Sequence, residues 1–319
     1  MLTVDVLRAG PQDYKLSRKT ILITGVTGFL GSHLIKALDK KNEYHIIGLK
    51  RSFSDTRRLD NTKLKNAVLY NIDIFSLEEL FNQNKIDLII HTATEYGRHN
   101  GSISKVIDTN LLFPIKILEL AIAQNTKCFI NTDSYFNKEN FTYNYLLDYA
   151  LSKKSLLRWL DNLSRKIQVV NLVLEHLYGE DDNKDKFIES MITQIAINKV
   201  SSVDLTHGHQ RRDYIYIADA IDAYLKIIDF TFKDNSRYTT FNVGTGITHE
   251  IRYFVTQIKK LSNSPTTLNF GAISYRCDEI MESKADISEL QNICFSPKFS
   301  IEQGIISIFN YYKVSSLCQ

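Results

Sequence analysis

The sequence predicts an α/β fold, a doubly wound parallel sheet with a smaller C-terminal lobe. Three observations carry that reading: short β-branched runs alternate with helical patterns through the first half, the first run ends in three spaced glycines, and the alternation loosens after Leu174. Such alternation implies parallel strands covered by helices on both faces. A chain of 319 residues is long enough to bury a substantial core in two joined lobes.

Strand-like runs fall at Ile21–Thr24, Tyr44–Leu49, Ala67–Tyr70, Leu88–His91, Lys127–Thr132 and Val169–Leu174. Helical patterns fall at Ser32–Lys40, Ser76–Gln83, Val106–Gln124 and Tyr149–Lys166, the last two with apolar residues at helical spacing. Residues 1–19 read as an N-terminal arm and 20–174 as a Rossmann domain for a dinucleotide, with later returns near 210–245. Residues 175–319 read mainly as the substrate-binding lobe, with further helices near Lys186–Asn198 and Ala218–Ile228.

The net charge of +3, with acids and bases interspersed, supplies no basic field for a nucleic acid. Cys128, Cys277, Cys294 and Cys318 show no CxxC pair and no metal-ligand spacing, so free thiols in a reducing compartment are expected, and no metal. The longest apolar runs, such as Ile86-Asp87-Leu88-Ile89-Ile90, are too short to cross a bilayer, and the start of the chain has no continuous apolar signal core. A cytoplasmic protein with no membrane partner is the expectation.

The glycine turn, Gly25-Val26-Thr27-Gly28-Phe29-Leu30-Gly31, passes from strand to helix and is built for a pyrophosphate. The first glycine permits the bend, the second lets backbone approach the ligand, and the third lets helix and strand pack closely. At the end of the second strand stand Lys50 and Arg51. An acid there would accept from a ribose 2′-hydroxyl, whereas two cations suit a 2′-phosphate, so the expected cofactor is NADPH/NADP rather than NAD. Further on, Tyr149 and Lys153 lie four residues apart on one helix face. A phenol with an ordinary pKa near 10 needs neighbouring positive charge to give up a proton at neutral pH, and Lys153 together with an oxidised nicotinamide would supply it. Thr132, at the carboxyl end of the preceding strand, is placed to hydrogen-bond the oxygen that Tyr149 protonates, with Asp133 and Ser134 beside it.

Together these motifs resemble the extended short-chain dehydrogenase/reductase superfamily, in its nucleotide-sugar branch, over nearly the whole length after residue 19. The supporting stretches also include Asp73-Ile74, His91-Thr92-Ala93-Thr94, Asn110, Tyr178-Gly179, Arg212-Asp213-Tyr214, Asn242-Val243-Gly244-Thr245-Gly246 and Arg276. The resemblance implies that Asp73 and Ile74 hold the adenine and that Gly25, Thr27, Gly28, Phe29, Leu30, Gly31, Thr92, Ala93, Thr94 and Asn110 line the cofactor. It also implies that Arg212 and Arg276 grip a substrate diphosphate, a task suited to planar guanidinium groups. Within that branch the chain is similar to bacterial reductases that make CDP-abequose or CDP-paratose, at His91–Arg98, Asn131–Ser134, Leu174–Gly179 and Phe270–Glu279. Two positions depart from the wider superfamily: His176 replaces the Asn of an Asn-x-Tyr-Gly motif, and Ser134 replaces the Glu base of sugar 4,6-dehydratases.

The expected activity is NADPH-dependent reduction of the C4 ketone of a nucleotide-linked 4-keto-6-deoxy or 3,6-dideoxy hexose, with Thr132, Tyr149 and Lys153 as catalytic residues. Glu95, Tyr96, Arg98, Asp133, Ser134, Glu175, His176 and Lys186 are the further candidates for substrate contact. A dTDP-linked or GDP-linked substrate fits the same motifs. A nucleotide-sugar 4-epimerase is the rival enzyme, and a non-catalytic NADP-binding scaffold is the rival from another class. A homodimer is expected.

Overall fold

The computed structural model describes residues 18–60, 62–98, 101–138 and 145–314, so residues 1–17, most of the expected arm, lie outside the described residues. Strands β1 (Thr20–Thr24), β2 (His45–Lys50), β3 (Ala67–Asn71), β4 (Leu88–His91), β5 (Cys128–Ser134) and β6 (Gln168–Leu174) join Tyr238–Val243 in a seven-stranded sheet. The order is Tyr238–Val243, β6, β5, β4, β1, β2, β3, with every neighbouring pair parallel. The helices between are α1 (Phe29–Lys41), α2 (Arg57–Asp60), α3 (Leu77–Gln83), α4 (Ile103–Ile107), α5 (Phe113–Ala123) and α6 (Leu147–Leu163).

Strand side chains alternate between faces, and the sequence uses both faces for apolar burial. Leu22, Ile89, Phe129 and Val169 pack with Phe81 of α3, Leu118 of α5 and Leu156 and Leu160 of α6. Their neighbours Ile21, Ile90, Ile130 and Val170 pack on the other side with Leu34 and Leu38 of α1 and with Ala220, Tyr224 and Ile227 of the helix Ile217–Thr231. The chain leaves β1 toward β2 on one side and returns through β4 on the other. That reversal opens a crevice at the carboxyl ends of β1 and β4, where ligands of such sheets bind.

The expected single helix over Val106–Gln124 is interrupted. α4 gives way to a π-helical turn over Asp108–Leu112 before α5 begins with Pro114 in its first turn. Proline has no N–H for the regular ladder, so the preceding turn is free to widen. The expected helix over Lys186–Asn198 similarly becomes Phe187–Met191 followed by a π-helical turn over Ile192–Ile197. Among the described residues no helix is long and apolar enough to cross a membrane.

The second lobe is built from short strand pairs. His176–Tyr178 pairs in parallel with Tyr214–Tyr216, and Ser202–Leu205 with Thr267–Phe270. Arg211–Arg212 lies between His249–Glu250 and Glu282–Ser283. One buried carboxylate ties these pieces to the main sheet. Asp213 accepts from Thr245 N at 2.8 Å, Thr245 Oγ1 at 2.7 Å, Gly246 N at 2.9 Å and Ala285 N at 3.1 Å. The turn after Tyr238–Val243 and the strand carrying Ser283 therefore close on the residue next to Arg212.

Removing that carboxylate leaves buried N–H groups without an acceptor, each costing about 1–3 kcal/mol. Asp213→Ala is expected to lower the unfolding free energy by at least about 3 kcal/mol in chemical denaturation. An unchanged denaturation midpoint would remove Asp213 from this role.

Candidate active site

The cradle for a dinucleotide forms where β1 turns into α1. Gly25 has φ +69°, and a Cβ there would lie 2.7 Å from Ala93 Cα. At Gly31 a Cβ would lie 2.2 Å from the Gly25 carbonyl oxygen. The glycines therefore serve close approach of the turn to β4 and of α1 to the turn. Gly28 caps α1 without a side-chain hydrogen bond, leaving first-turn N–H groups to face an anion. This donor set fits a pyrophosphate.

Thr24 organises the crevice from below. Its Oγ1 accepts from Thr92 N and Ala93 N, both at 3.1 Å, and lies 2.9 Å from His91 Nδ1. With both lone pairs taken, the Thr24 proton goes to His91 Nδ1, so the buried imidazole carries its own proton on Nε2. Burial holds His91 well below the ordinary histidine value, and the Lys153 charge adds to that effect. Thr92 Oγ1 completes the seam by donating to the Thr24 carbonyl at 2.6 Å.

At the basic edge, Asp73 accepts from Ser52 N at 2.8 Å and from Ser52 Oγ. The turn after Lys50 and Arg51 is thereby pinned, while the Arg51 guanidinium lies over the Phe53 ring at 4.9 Å. Thus Asp73 acts on the turn that carries the two cations, and Ile74 beside it is exposed.

The reacting edge is formed by β5 and α6. Lys153 is buried and donates to the Thr132 carbonyl at 2.8 Å. Burial lowers its pKa to about 8, against the opposing charge of Asp133. One helical turn away, Tyr149 lies among aromatic rings, 4.9 Å from Tyr96 and 6.0 Å from Phe136 between centroids. Burial pushes its phenol well above the ordinary value, the Tyr96 phenol adds to this, and a hydrogen bond with Ser134 opposes it. The expected lowering of the Tyr149 pKa belongs to Lys153 acting with an oxidised nicotinamide; in the protein alone burial dominates and favours the phenol, while the ammonium sits on the Thr132 carbonyl beside Asp133.

Thr132 and Ser134 share a strand face, and their hydroxyls have different partners. Thr132 Oγ1 lies 2.7 Å from Tyr224 Oη, whereas Ser134 meets Tyr149. Asp133, between them, turns inward, accepting from Asn137 Nδ2 at 2.6 Å and Asn171 Nδ2 at 3.2 Å. Both oxygens of that buried carboxylate are thus held by amide groups.

Two further expectations are corrected by burial. Asn110 is fully buried and spends its amide on Glu95 N, Glu95 O and Ser152 Oγ at 2.8, 2.8 and 3.0 Å, so it clamps the Thr94–Glu95 segment instead of touching a cofactor. Glu175 is likewise closed off, bonded to Lys138 Nζ and to Ser283 Oγ at 2.8 Å. Its neighbour His176 stacks on Tyr135 at 4.2 Å, with Nδ1 3.5 Å from the Glu175 carboxylate. Burial holds that imidazole below its ordinary pKa, so it is neutral at pH 7.

Of the remaining candidates Arg212 is buried and the others are at least partly exposed. Glu95 accepts from Gly97 N at 3.1 Å, and Arg98 lies over the Tyr96 ring while donating to the Asp185 carbonyl at 3.1 Å. Lys186 pairs with Asp182 at 3.0 Å and lies 5.2 Å above the Phe29 ring, so it joins the second lobe to the start of α1. Arg212 pairs with Glu279 at 2.6 Å, and a turn from Arg276 O to Glu279 N brings the two arginine segments together. Arg276 lies over the Tyr145 ring at 3.8 Å. Sequence reasoning missed Thr24, Lys138, Tyr224, and the pairing role of Glu279. Each acts through a partner far along the chain, and no local spacing announces it.

Residues 21–244 match the NAD dependent epimerase/dehydratase family. CDP-abequose synthase of Salmonella muenchen is 38% identical over 295 residues, covering 90% of this chain and 96% of that protein. CDP-abequose synthase of Yersinia pseudotuberculosis is 30% identical over 267 residues, covering 82% and 90%. Among solved structures, UDP-glucose 4-epimerase of Thermotoga maritima with UDP-glucose superposes with a TM-score of 0.79 at 20% identity, covering 92% and 98%. The likeness in fold agrees with the parallel sheet and its glycine turn.

The Lys153 environment has a consequence for stability. Its folded pKa of about 8 lies below the ordinary lysine value of about 10.4. Between those values the unfolded chain binds a proton that the folded chain does not, so stability contributed here is present at high pH and lost as pH falls through about 8. Unfolding free energies measured across that window should rise with pH in the native protein and rise less in Lys153→Met. Parallel pH profiles for the two proteins would contradict the assignment.

Proposed function

The chain belongs to the NAD dependent epimerase/dehydratase family, and from that premise we propose that it is an NADPH-dependent 4-ketoreductase of a nucleotide-linked deoxyhexose. The substrate is a 4-keto-6-deoxy or 4-keto-3,6-dideoxy sugar nucleotide, and the product a deoxysugar donor for O-antigen or related surface polysaccharide. The observation that carries this reading is the pairing of a buried, protonated Tyr149 with Ser134, in a chain whose relatives at 30–38% identity are CDP-abequose synthases.

NADPH, when bound, supplies hydride to the sugar carbonyl carbon. Tyr149 donates its proton to the oxygen as negative charge develops there, and Thr132 offers that oxygen a second hydrogen bond. Lys153 fixes the Thr132 carbonyl and brings positive charge to the edge where the nicotinamide ribose is expected. Lys50 and Arg51 favour the 2′-phosphate of NADPH. Arg212 and Arg276 serve the diphosphate, with Glu279 orienting the Arg212 guanidinium.

The CDP reading comes from the relatives, and dTDP-linked sugars remain the alternative substrate. A 4-epimerase would use the same Tyr149 and Lys153, but the basic end of β2 favours a cofactor that is exchanged as NADPH. The exposed apolar residues Ile103, Ile107, Leu147, Leu151 and Trp159 on α4 and α6 support a homodimer.

The activity is tested by offering CDP-, dTDP- and GDP-linked 4-keto sugars with NADPH, following nicotinamide absorbance, and identifying the product by NMR. Tyr149→Phe should lower turnover by about two to four orders of magnitude while NADPH binding persists. Near-native reduction by that variant would refute Tyr149 as the proton donor. Lys50→Asp combined with Arg51→Ser should abolish or reverse the preference for NADPH over NADH in kcat/KM. Equal use of both cofactors by the native protein would defeat the 2′-phosphate reading.

A further inference from the structure

Thr132 stands between an open cleft and a closed core. It is half-buried at the carboxyl end of β5, while Tyr224, on the helix Ile217–Thr231, is fully buried. The two hydroxyls are 2.7 Å apart, and among the described residues no second hydrogen bond is made by the Tyr224 hydroxyl. Either oxygen can donate in such a pair, and burial decides which does. A Thr132 proton given to Tyr224 would strand the phenol proton inside apolar packing against Ala220, Ile227 and Ile228. Leaving a buried donor unpaired costs more than a neutral hydrogen bond gains. The opposite arrangement satisfies both groups, because a Thr132 proton displaced from Tyr224 points toward the cleft. Burial also keeps Tyr224 protonated by pushing its pKa far up.

We propose that Tyr224 is a positioning residue: by donating to Thr132 Oγ1 it holds the Thr132 hydroxyl proton toward the oxygen of the sugar carbon that exchanges hydride. This rests on the reading of Thr132 as a partner of the substrate oxygen. The hydroxyl so held is a preorganised donor, and accepting a bond from Tyr224 strengthens the one it gives. Tyr224 itself never touches substrate. Its position on the helix Ile217–Thr231, which packs on the main sheet beside α1, makes that helix a support for the reacting edge of β5.

The test is a cycle of four proteins: native, Tyr224→Phe, Thr132→Val and the double variant. Each is assayed with NADPH and the 4-keto sugar nucleotide that the native protein turns over, and each is melted thermally. Tyr224→Phe conserves volume and should lower kcat by about three- to tenfold, the value of one neutral hydrogen bond, with KM changed less than about twofold. Thr132→Val should lower kcat by about a hundredfold. The double variant should match Thr132→Val, because Tyr224 acts only through that hydroxyl. Thr132→Ser, which restores a hydroxyl, should restore sensitivity to Tyr224→Phe. Additive losses in the double variant, a native kcat in Tyr224→Phe, or a loss that disappears at a temperature where both proteins are fully folded overturns the proposal. If Thr132→Val retains native kcat the proposal falls, while loss of turnover in Tyr149→Phe would leave the reductase reading standing. If the protein instead interconverts 4-hydroxy sugar epimers, the reductase reading fails and the same cycle, run on that reaction, still decides the role of Tyr224.

Discussion

A lysine ammonium enclosed between a strand and a helix is the constraint on which the active edge depends. Lys153 is buried, and a desolvated charge is tolerated only with close partners. It finds the Thr132 carbonyl at 2.8 Å and the field of Asp133. Those partners lie on β5, so the lysine fixes α6 against the carboxyl end of that strand. Tyr149, one helical turn earlier, inherits its position from the same contact. The hydroxyl of Thr132 is then free for a different task, since its carbonyl has already met the lysine. Asp133 is drawn inward by Asn137, Asn171 and the Lys153 charge, which leaves Thr132 and Ser134 as the polar residues of the opposite strand face. Alternation along one strand thus separates charge balance on one side from hydroxyl chemistry on the other.

The second lobe is attached to this edge by buried polar contacts more than by its short strands. Asp213 gathers the Thr245–Gly246 turn and Ala285, and so sets the strand from which Arg212 projects. Ser283, in the neighbouring strand, holds Glu175, whose other partner Lys138 follows β5. Arg212 and the end of β5 therefore share one network. A carboxylate whose partners come from three segments resists local rearrangement, since freeing any one of them leaves buried groups unpaired. Unfolding energetics of Asp213→Ala report on that coupling directly.

The strands were legible because parallel sheets bury both faces, and continuous β-branched runs have few other uses. All six expected strands match the observed ones to within one or two residues, and the glycine turn lies where its spacing placed it. The helix over Val106–Gln124 was misread because periodicity does not register a single widened turn, and Pro114 was the only cue. Site residues were legible as residue types but not as orientations. Asn110 was singled out for a cofactor, yet its amide serves Glu95 and Ser152, since whether a polar side chain faces ligand or backbone depends on the fold around it. Thr132 had no visible partner in sequence because Tyr224 lies ninety-two positions away. The Lys153–Tyr149 relation was legible as spacing, whereas the burial that raises the phenol was not, because the rings of Tyr96 and Phe136 reach it from other segments.

The acid-base groups of this edge bear on the chemistry it can serve. The resemblance implies that a dehydratase carries its carboxylate base where Ser134 stands, and the adjacent Asp133 is buried with its oxygens on Asn137 and Asn171. Burial among Tyr96, Tyr135 and Phe136 disfavours the phenolate of Tyr149, and the Ser134 hydrogen bond opposes that effect. The phenolate is the end state when Tyr149 gives a proton and the starting state when it takes one, so by microscopic reversibility the aromatic wall raises the same state in either direction. Ser134, bonded to the phenol, and the Lys153 charge at the same edge are the polar groups placed to offset that cost. The edge therefore serves proton transfer both ways, and the direction of turnover is set by the cofactor and the sugar presented to it.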